Sequence, residues 1–258
     1  MRHLFLASLL LLPFAAHAGD SNCRHTAPRE LKLDLAGVKS VQVEVRSYDL
    51  HVNGVAGSTG EIKGVACASD EKLLPDLVIT QHKEGDQLIV EMGTSGRHIS
   101  INFFGSTSTG LKADMTLPAN MPLTVNVGSG DGWVNNVARL DSRVGSGDLH
   151  VTKVSGPVSA SVGSGDMDVK DIGSLDLGAV GSGDFKGQGI NGDARIGSIG
   201  SGDVELRDVK GSVRADTLGS GDLTVKGVGG DLSLGAKGSG DVNHSDVRGK
   251  VNVPRDRD

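Results

Sequence analysis

Apolar and polar residues alternate along most of this chain, and from residue 128 onward the alternation recurs at a nearly fixed interval. The tetrapeptide Gly-Ser-Gly-Asp starts at Gly128, Gly145, Gly163, Gly181, Gly200, Gly219 and Gly238, with starts 17, 18, 18, 19, 19 and 19 residues apart. Counting from each Asp, positions +1 and +3 are mostly apolar, as in Leu149 and Val151, Met167 and Val169, or Leu223 and Val225. Position +2 between them is usually polar, as in His150, Asp168, Lys186 and Glu205. A period of two is the mark of a strand with one face buried. Position +6 is Val or Ile in all seven units, and position +8 is Gly in five of them. A second short alternating run follows, such as Val213-Arg214-Ala215 or Leu232-Ser233-Leu234.

Each unit therefore reads as strand, turn, strand, turn, with a glycine at each turn that can take a positive φ. One such unit cannot bury its own apolar face, whereas stacked neighbours can, and a short fixed period is the sequence mark of a solenoid. The chain is predicted to be all-β: a single-stranded parallel β-solenoid (β-helix) of about seven 17–19-residue coils. At about 4.8 Å per coil it would be roughly 34 Å long.

Upstream of the repeats the strands are longer and unevenly spaced. Leu31–Val38 and Val41–Val45 alternate as strands. The segment Ser47–Gly57 aligns with Ser146–Gly156, so that Asp49, Leu50, Val52, Val55 and Gly57 match Asp148, Leu149, Val151, Val154 and Gly156. This predicts a degenerate first coil, followed by an excursion over residues 58 to about 115. The excursion holds strand patterns at Glu61–Ala66, Leu77–Gln81, Gln87–Met92, His98–Phe104 and Leu111–Leu117, a hairpin turn at Glu84-Gly85-Asp86, and a helical turn that Pro75 ends. An antiparallel layer covering the first coil is the expected result, because a solenoid's terminal strands otherwise expose pairing edges. The organisation predicted is a signal peptide at 1–18, an N-terminal β region at 19–126, solenoid repeats at 127–253 and a charged tail at 254–258. The open last coil could self-associate, and Pro254 with alternating charges after it reads as protection against that.

Met1–Ala18 has a basic start at Arg2, an apolar stretch Leu4–Phe14 and a small-x-small site at Ala16-His17-Ala18, the pattern of a secretory signal. The protein is expected to be exported, to the periplasm, the cell surface or the medium, without membrane insertion. Cys23 and Cys67, the chain's two cysteines, fit one disulfide in an oxidising compartment. The formal charge of −6, or −7 without Arg2, argues against nucleic acid as a partner.

The repeated acid is the first candidate for chemistry. Stacking would align Asp131, Asp148, Asp166, Asp184, Asp203, Asp222 and Asp241 about 5 Å apart. Each adjacent pair would then repel by about 1 kcal/mol in bulk water and more in a lower dielectric. Capping of backbone N–H groups in the same or adjacent turn would offset this. A column of Ca²⁺ ions is the alternative, but the known calcium β-roll repeats its Asp every half-coil, and here only Asp193 and Asp231 stand at that place. Capping is the expectation, with no metal and no cofactor. Trp133 occupies the outward +2 position of the first regular coil, beside His150 of the second. The excursion layer is expected to pack over Trp133; otherwise Trp133 and His150 form a contact surface. An enzyme is not expected: the chain after residue 18 has only Tyr48, Phe103, Phe104, Trp133 and Phe185 as aromatic platforms, short coils leave little loop for a cleft, and no nucleophile triad is evident.

The segment Ala113-Asp114-Met115-Thr116-Leu117-Pro118-Ala119, with Leu123-Thr124-Val125-Asn126-Val127 and the first Gly-Ser-Gly-Asp, resembles the bacterial "putative adhesin" family. It is also similar to the head domain of putative autotransporter adhesins. The resemblance runs from about Val41 onward. It implies an exported β-solenoid with an adhesive role, and it brings no catalytic or binding residue with it. The expected function is a structural or adhesive interaction protein of the bacterial envelope, with an envelope protein or glycan as partner. The alternatives are a periplasmic binding or signalling partner, and a carbohydrate-active β-helix enzyme.

Overall fold

The computed structural model describes residues 23–95 and 108–254. The expected signal segment, the expected strand at 98–104 and the last four residues of the expected charged tail lie outside them.

Before the regular repeats come β1 (His25–Lys32), β2 (Ser40–Arg46), β3 (Asp49–Val55), β4 (Glu61–Ala68), β5 (Leu77–Glu84), β6 (Gln87–Thr94), β7 (Thr109–Pro118) and β8 (Pro122–Val127). The repeats contain β9 (Gly132–Val137), β10 (Arg139–Val144), β11 (Leu149–Val162), β12 (Met167–Val180), β13 (Phe185–Ile190) and β14 (Ala194–Ile199). They end with β15 (Val204–Val209), β16 (Val213–Leu218), β17 (Leu223–Val228), β18 (Leu232–Lys237), β19 (Val242–Val247) and β20 (Val251–Asn252). The expected parallel solenoid is observed. A front ladder runs through β9, the first halves of β11 and β12, then β13, β15, β17 and β19, every pair parallel. A back ladder runs through β8, β10, the second halves of β11 and β12, then β14, β16, β18 and β20.

Inward residues of both ladders form one core, each large aliphatic there contributing about 1.5–3 kcal/mol by leaving water. Packing is adjusted within single coils. Phe185 is fully buried, and two residues on stands Gly187, where an added Cβ would lie 3.2 Å from Phe185 Cε1 and 2.9 Å from Leu206 Cδ2. The large ring at +1 thus takes the volume that a side chain at +3 fills in neighbouring coils.

At the N-terminal end, β3 lies on β9 and β2 on β8, both parallel. The expected antiparallel cap is present: β4 pairs with β7, β1 with β4 and β5 with β6, all antiparallel. Two strands of the excursion depart from that pattern. β7 runs parallel to β3 and β6 parallel to β2, because Leu88, Val90 and Met92 with Leu111, Met115 and Leu117 extend the same buried core by one more rung. The strand expected at Leu31–Val38 ends at Lys32. An Asx turn, with Ala36 N–H donating to Asp34 Oδ1, and Gly37 at φ 74 bend the chain away. A short 3-10 helix, Glu71–Asp76, is capped by Asp70 and contains Pro75, one residue before its end. Among the described residues no helix is long and apolar enough to cross a membrane.

The glycines of the repeated corner work differently from the expectation. None of them has a positive φ. They are needed because the corners stack backbone on backbone: a Cβ on Gly183 would sit 1.8 Å from Gly165 O. The left-handed residue is instead at +5, in every one of the seven coils: Asn136, Lys153, Asp171, Gly189, Asp208, Gly227 and Asp246, with φ between 56 and 72. There the chain swings from the front ladder to the back. Asn, Asp and Gly tolerate this conformation, and Lys153 does so against a steric cost of roughly 1–2 kcal/mol.

Candidate contact surface

The acid ladder stands at the front edge of the corners. The N–H of Asp148 donates to Asp131 Oδ1 at 3.3 Å, that of Asp166 to Asp148 at 3.2 Å and that of Asp184 to Asp166 at 3.0 Å. Asp203, Asp222 and Asp241 continue the series, each donating to the preceding carboxylate at 3.1, 2.8 and 2.9 Å. One such bond, contributing on the order of 1 kcal/mol, matches the repulsion of about 1 kcal/mol between exposed neighbours. At the opposite corner Asp193 Oδ1 accepts from Ser212 N–H and Asp231 Oδ1 from Lys250 N–H. Among the described residues no three His, Cys, Asp or Glu side chains converge as a metal site would require.

Cys23 and Cys67 are disulfide-bonded, with Cα atoms 5.5 Å apart, and tie the residues before β1 to β4. On the back ladder a hydrogen bond from Arg214, with Arg195 close by, holds the Asp216 carboxyl below the usual carboxylate range. That is an anion fixed for pairing rather than for proton transfer.

Trp133 is not covered by the excursion layer, because those strands extend the ladders end-on instead of folding over their outer face. The indole is half-buried, and its cover comes from the two rungs beside it. His51 on β3 stacks on it with ring centroids 4.3 Å apart, and His150 on β11 at 5.8 Å, both near 30° from coplanar. Outside each imidazole stands a carboxylate: Asp114 on β7 is opposite His51, and Asp168 on β12 is opposite His150, with His150 Nδ1 3.2 Å from Asp168 Oδ2. Beyond these come Lys63 and Lys186, then Glu30 and Glu205. The row thus reads the same in both directions from Trp133. Beside it the outward side chains Asn53, Asn135 and Thr152 are linked, Asn135 Nδ2 donating to Asn53 Oδ1 at 3.2 Å and Thr152 Oγ1 to Asn135 Oδ1 at 2.9 Å.

From His150 a shallow groove of about 380 Å³ continues along the solenoid axis between the +2 and +4 rows. Asp168 and Lys186 are on one wall, Lys170 and Gln188 on the other, with Glu205 and Arg207 at the far end. Arg207 Nε donates to Glu205 Oε1 at 2.8 Å, and Asp168 is engaged by His150.

The neighbours Trp133 and His150 follow from the repeat count. His51 was missed, although the match of Ser47–Gly57 to Ser146–Gly156 already sets it in line with His150, and hence on the rung beyond Trp133.

A family model covers residues 38–255. The chain belongs to the Toastrack DUF4097 family. The Toastrack match takes in both ladders, His51, Trp133 and the groove, and begins after β1 and Cys23. Several solved structures are similar. One described as a putative adhesin from Bacteroides fragilis NCTC 9343 shares 12% identity, covering 92% of this chain and 100% of that one, with a TM-score of 0.42. A putative adhesin from Parabacteroides merdae ATCC 43184 shares 13% over 90% and 97%, with a TM-score of 0.45. A putative lipid binding protein from Parabacteroides distasonis ATCC 8503 shares 12% over 90% and 98%, with a TM-score of 0.39. No curated protein matches the sequence.

Proposed function

We propose that this Toastrack chain is an exported structural or adhesive interaction protein of the bacterial envelope, without catalytic activity. It meets its partner through the outer face of the front ladder around Trp133 and His150. Trp133 carries this reading: it is the only tryptophan in the sequence, and its half-exposed ring is clasped by imidazoles on the outer sheet face. Large apolar rings held at a surface are the residues on which contact energy concentrates. The disulfide between Cys23 and Cys67 supports an oxidising location. The acid ladder takes a structural role, its carboxylates accepting N–H groups of the next coil.

The test is capture from a native bacterial envelope extract by immobilised protein. Trp133→Ala should lose the captured partner by roughly tenfold or more, a difference of about 1.4 kcal/mol, while its melting temperature holds. Capture that is indifferent to Trp133 would move the contact elsewhere and sink this reading. Recovery of the protein from the cytoplasm on cell fractionation would refute export.

A further inference from the structure

We propose that the occupant of this face is an acidic glycan, lying along the solenoid axis from Trp133 through the groove to Arg207. This rests on the contact-surface reading and names the ligand class for it.

Three features select that class. The first is charge. The chain as a whole is acidic, at −6, yet the groove is lined by Lys170, Lys186 and Arg207 against Asp168 and Glu205, so cations outnumber acids there, and Glu205 is paired with Arg207. A negatively charged substituent on the ligand meets those two ammonium groups.

The second is hydrogen-bonding type. Asn53, Asn135 and Thr152 next to the rings, and Gln188 in the groove, offer donors and acceptors that match hydroxyl groups, which also do both. An acidic peptide fits less well. This is the face of a sheet whose backbone groups are already paired along the ladder, so an extended peptide finds no main-chain partners and gains nothing by strand addition.

The third is the row's symmetry, which disfavours a second copy of the chain docked with Trp133 on Trp133. A two-fold axis over Trp133 either maps the row onto itself or reverses it. Both bring Lys63 or Lys186 against lysine and Glu30 or Glu205 against glutamate, a like-charge juxtaposition across the whole face. A linear chain of sugars has no such conflict. It lies across rungs that repeat at about 4.8 Å, with one ring at Trp133 and its acidic groups in the groove.

The probe is hexagalacturonate, titrated calorimetrically into the full-length exported protein, with Trp133 fluorescence as a second readout. Binding should weaken roughly tenfold in Lys170→Gln/Lys186→Gln, and should fall in about 0.5 M NaCl because the pairs are screened. Both lysines are solvent-facing, and unchanged melting of the double variant establishes that its fold is intact. Cellohexaose should bind at least tenfold more weakly than the uronate. Equal or tighter binding of cellohexaose, tighter binding of hexaglutamate, or no heat and no fluorescence change with hexagalacturonate would overturn the proposal. If hexagalacturonate fails while Trp133→Ala still abolishes capture of envelope material, the ligand class is wrong and the contact surface stands. If both fail, the surface falls with it.

Discussion

The repeats and the N-terminal cap close the same core by different means. In a repeat corner, small residues let backbone fasten to backbone: Ser182 N–H donates to Gly163 O at 2.8 Å and Asp184 N–H to the Asp166 carboxylate at 3.0 Å, with equivalent bonds in neighbouring coils. In the cap, individual long side chains do the fastening. Arg29 donates to the carbonyls of Leu74 and Leu77, Gln81 Nε2 donates to Lys32 O at 2.9 Å, and Lys83 pairs with Asp34 at 2.9 Å. The disulfide adds a covalent tie. Where a next coil exists, periodic glycine and aspartate suffice. Where the repeat stops, the edge carbonyls must be met by side chains with enough reach.

The sharpest way to separate the two regions is to remove the tie that only the cap possesses. Cys23→Ser/Cys67→Ser opens a cross-link spanning 44 residues, which in the chain-entropy model is worth about 4 kcal/mol. Hydrogen exchange should lose protection in β1 and β4 first, with β13 to β18 holding theirs. Equal loss throughout would mean cap and repeats unfold as one unit, and the contrast between them would fail.

A smaller effect is expected from a single methyl group. Gly183→Ala forces Cβ into the carbonyl of Gly165 and should cost about 3 kcal/mol in a denaturant titration. Gly110→Ala in the cap, where a Cβ would meet Cys67 Cβ at 4.0 Å, should stay within about 0.5 kcal/mol of the parent. Similar losses at the two sites would show that the corner can yield.

The least costly change probes the acid ladder. Asp184→Ala removes the acceptor for Asp203 N–H and should cost about 1–2 kcal/mol, whereas Asp184→Asn keeps an acceptor and should be nearly neutral. Millimolar Ca²⁺ should leave the melting temperature where it was. A calcium-dependent rise that Asp184→Asn abolishes would make the column an ion site instead of a set of caps.

How far the sequence could be read follows the same division. The solenoid was legible because the first six coils bury the same face, so the pattern at +1, +3 and +6 is imposed six times, and only the last coil, with His244 exposed at +3, departs from it. The left-handed +5 position was not legible, since Asn136, Asp171 and Gly189 look like ordinary loop residues and Lys153 gives no hint of a positive φ. The glycines misled in the opposite sense: glycine suggests a special φ, while the actual demand at Gly183 comes from the coil beneath. At the contact surface, adjacent repeats put Trp133 beside His150. His51 lies 82 residues from Trp133 in the chain, and only the register of a degenerate coil joins them. The contact of Arg29 with Leu74 and Leu77 has no second copy to reveal it.

The acid ladder also has a direction. Each carboxylate accepts from the coil that follows it, so an interior coil presents its successor with the same acceptor it was itself given. A 19-residue unit copied in tandem between Gly200 and Gly238 would meet a familiar neighbour above and below, and neither terminus would need to change. Each duplication would lengthen the rod by about 4.8 Å and leave Trp133 and its groove where they are. Length is then adjustable in whole-coil steps, independently of the face that carries Trp133.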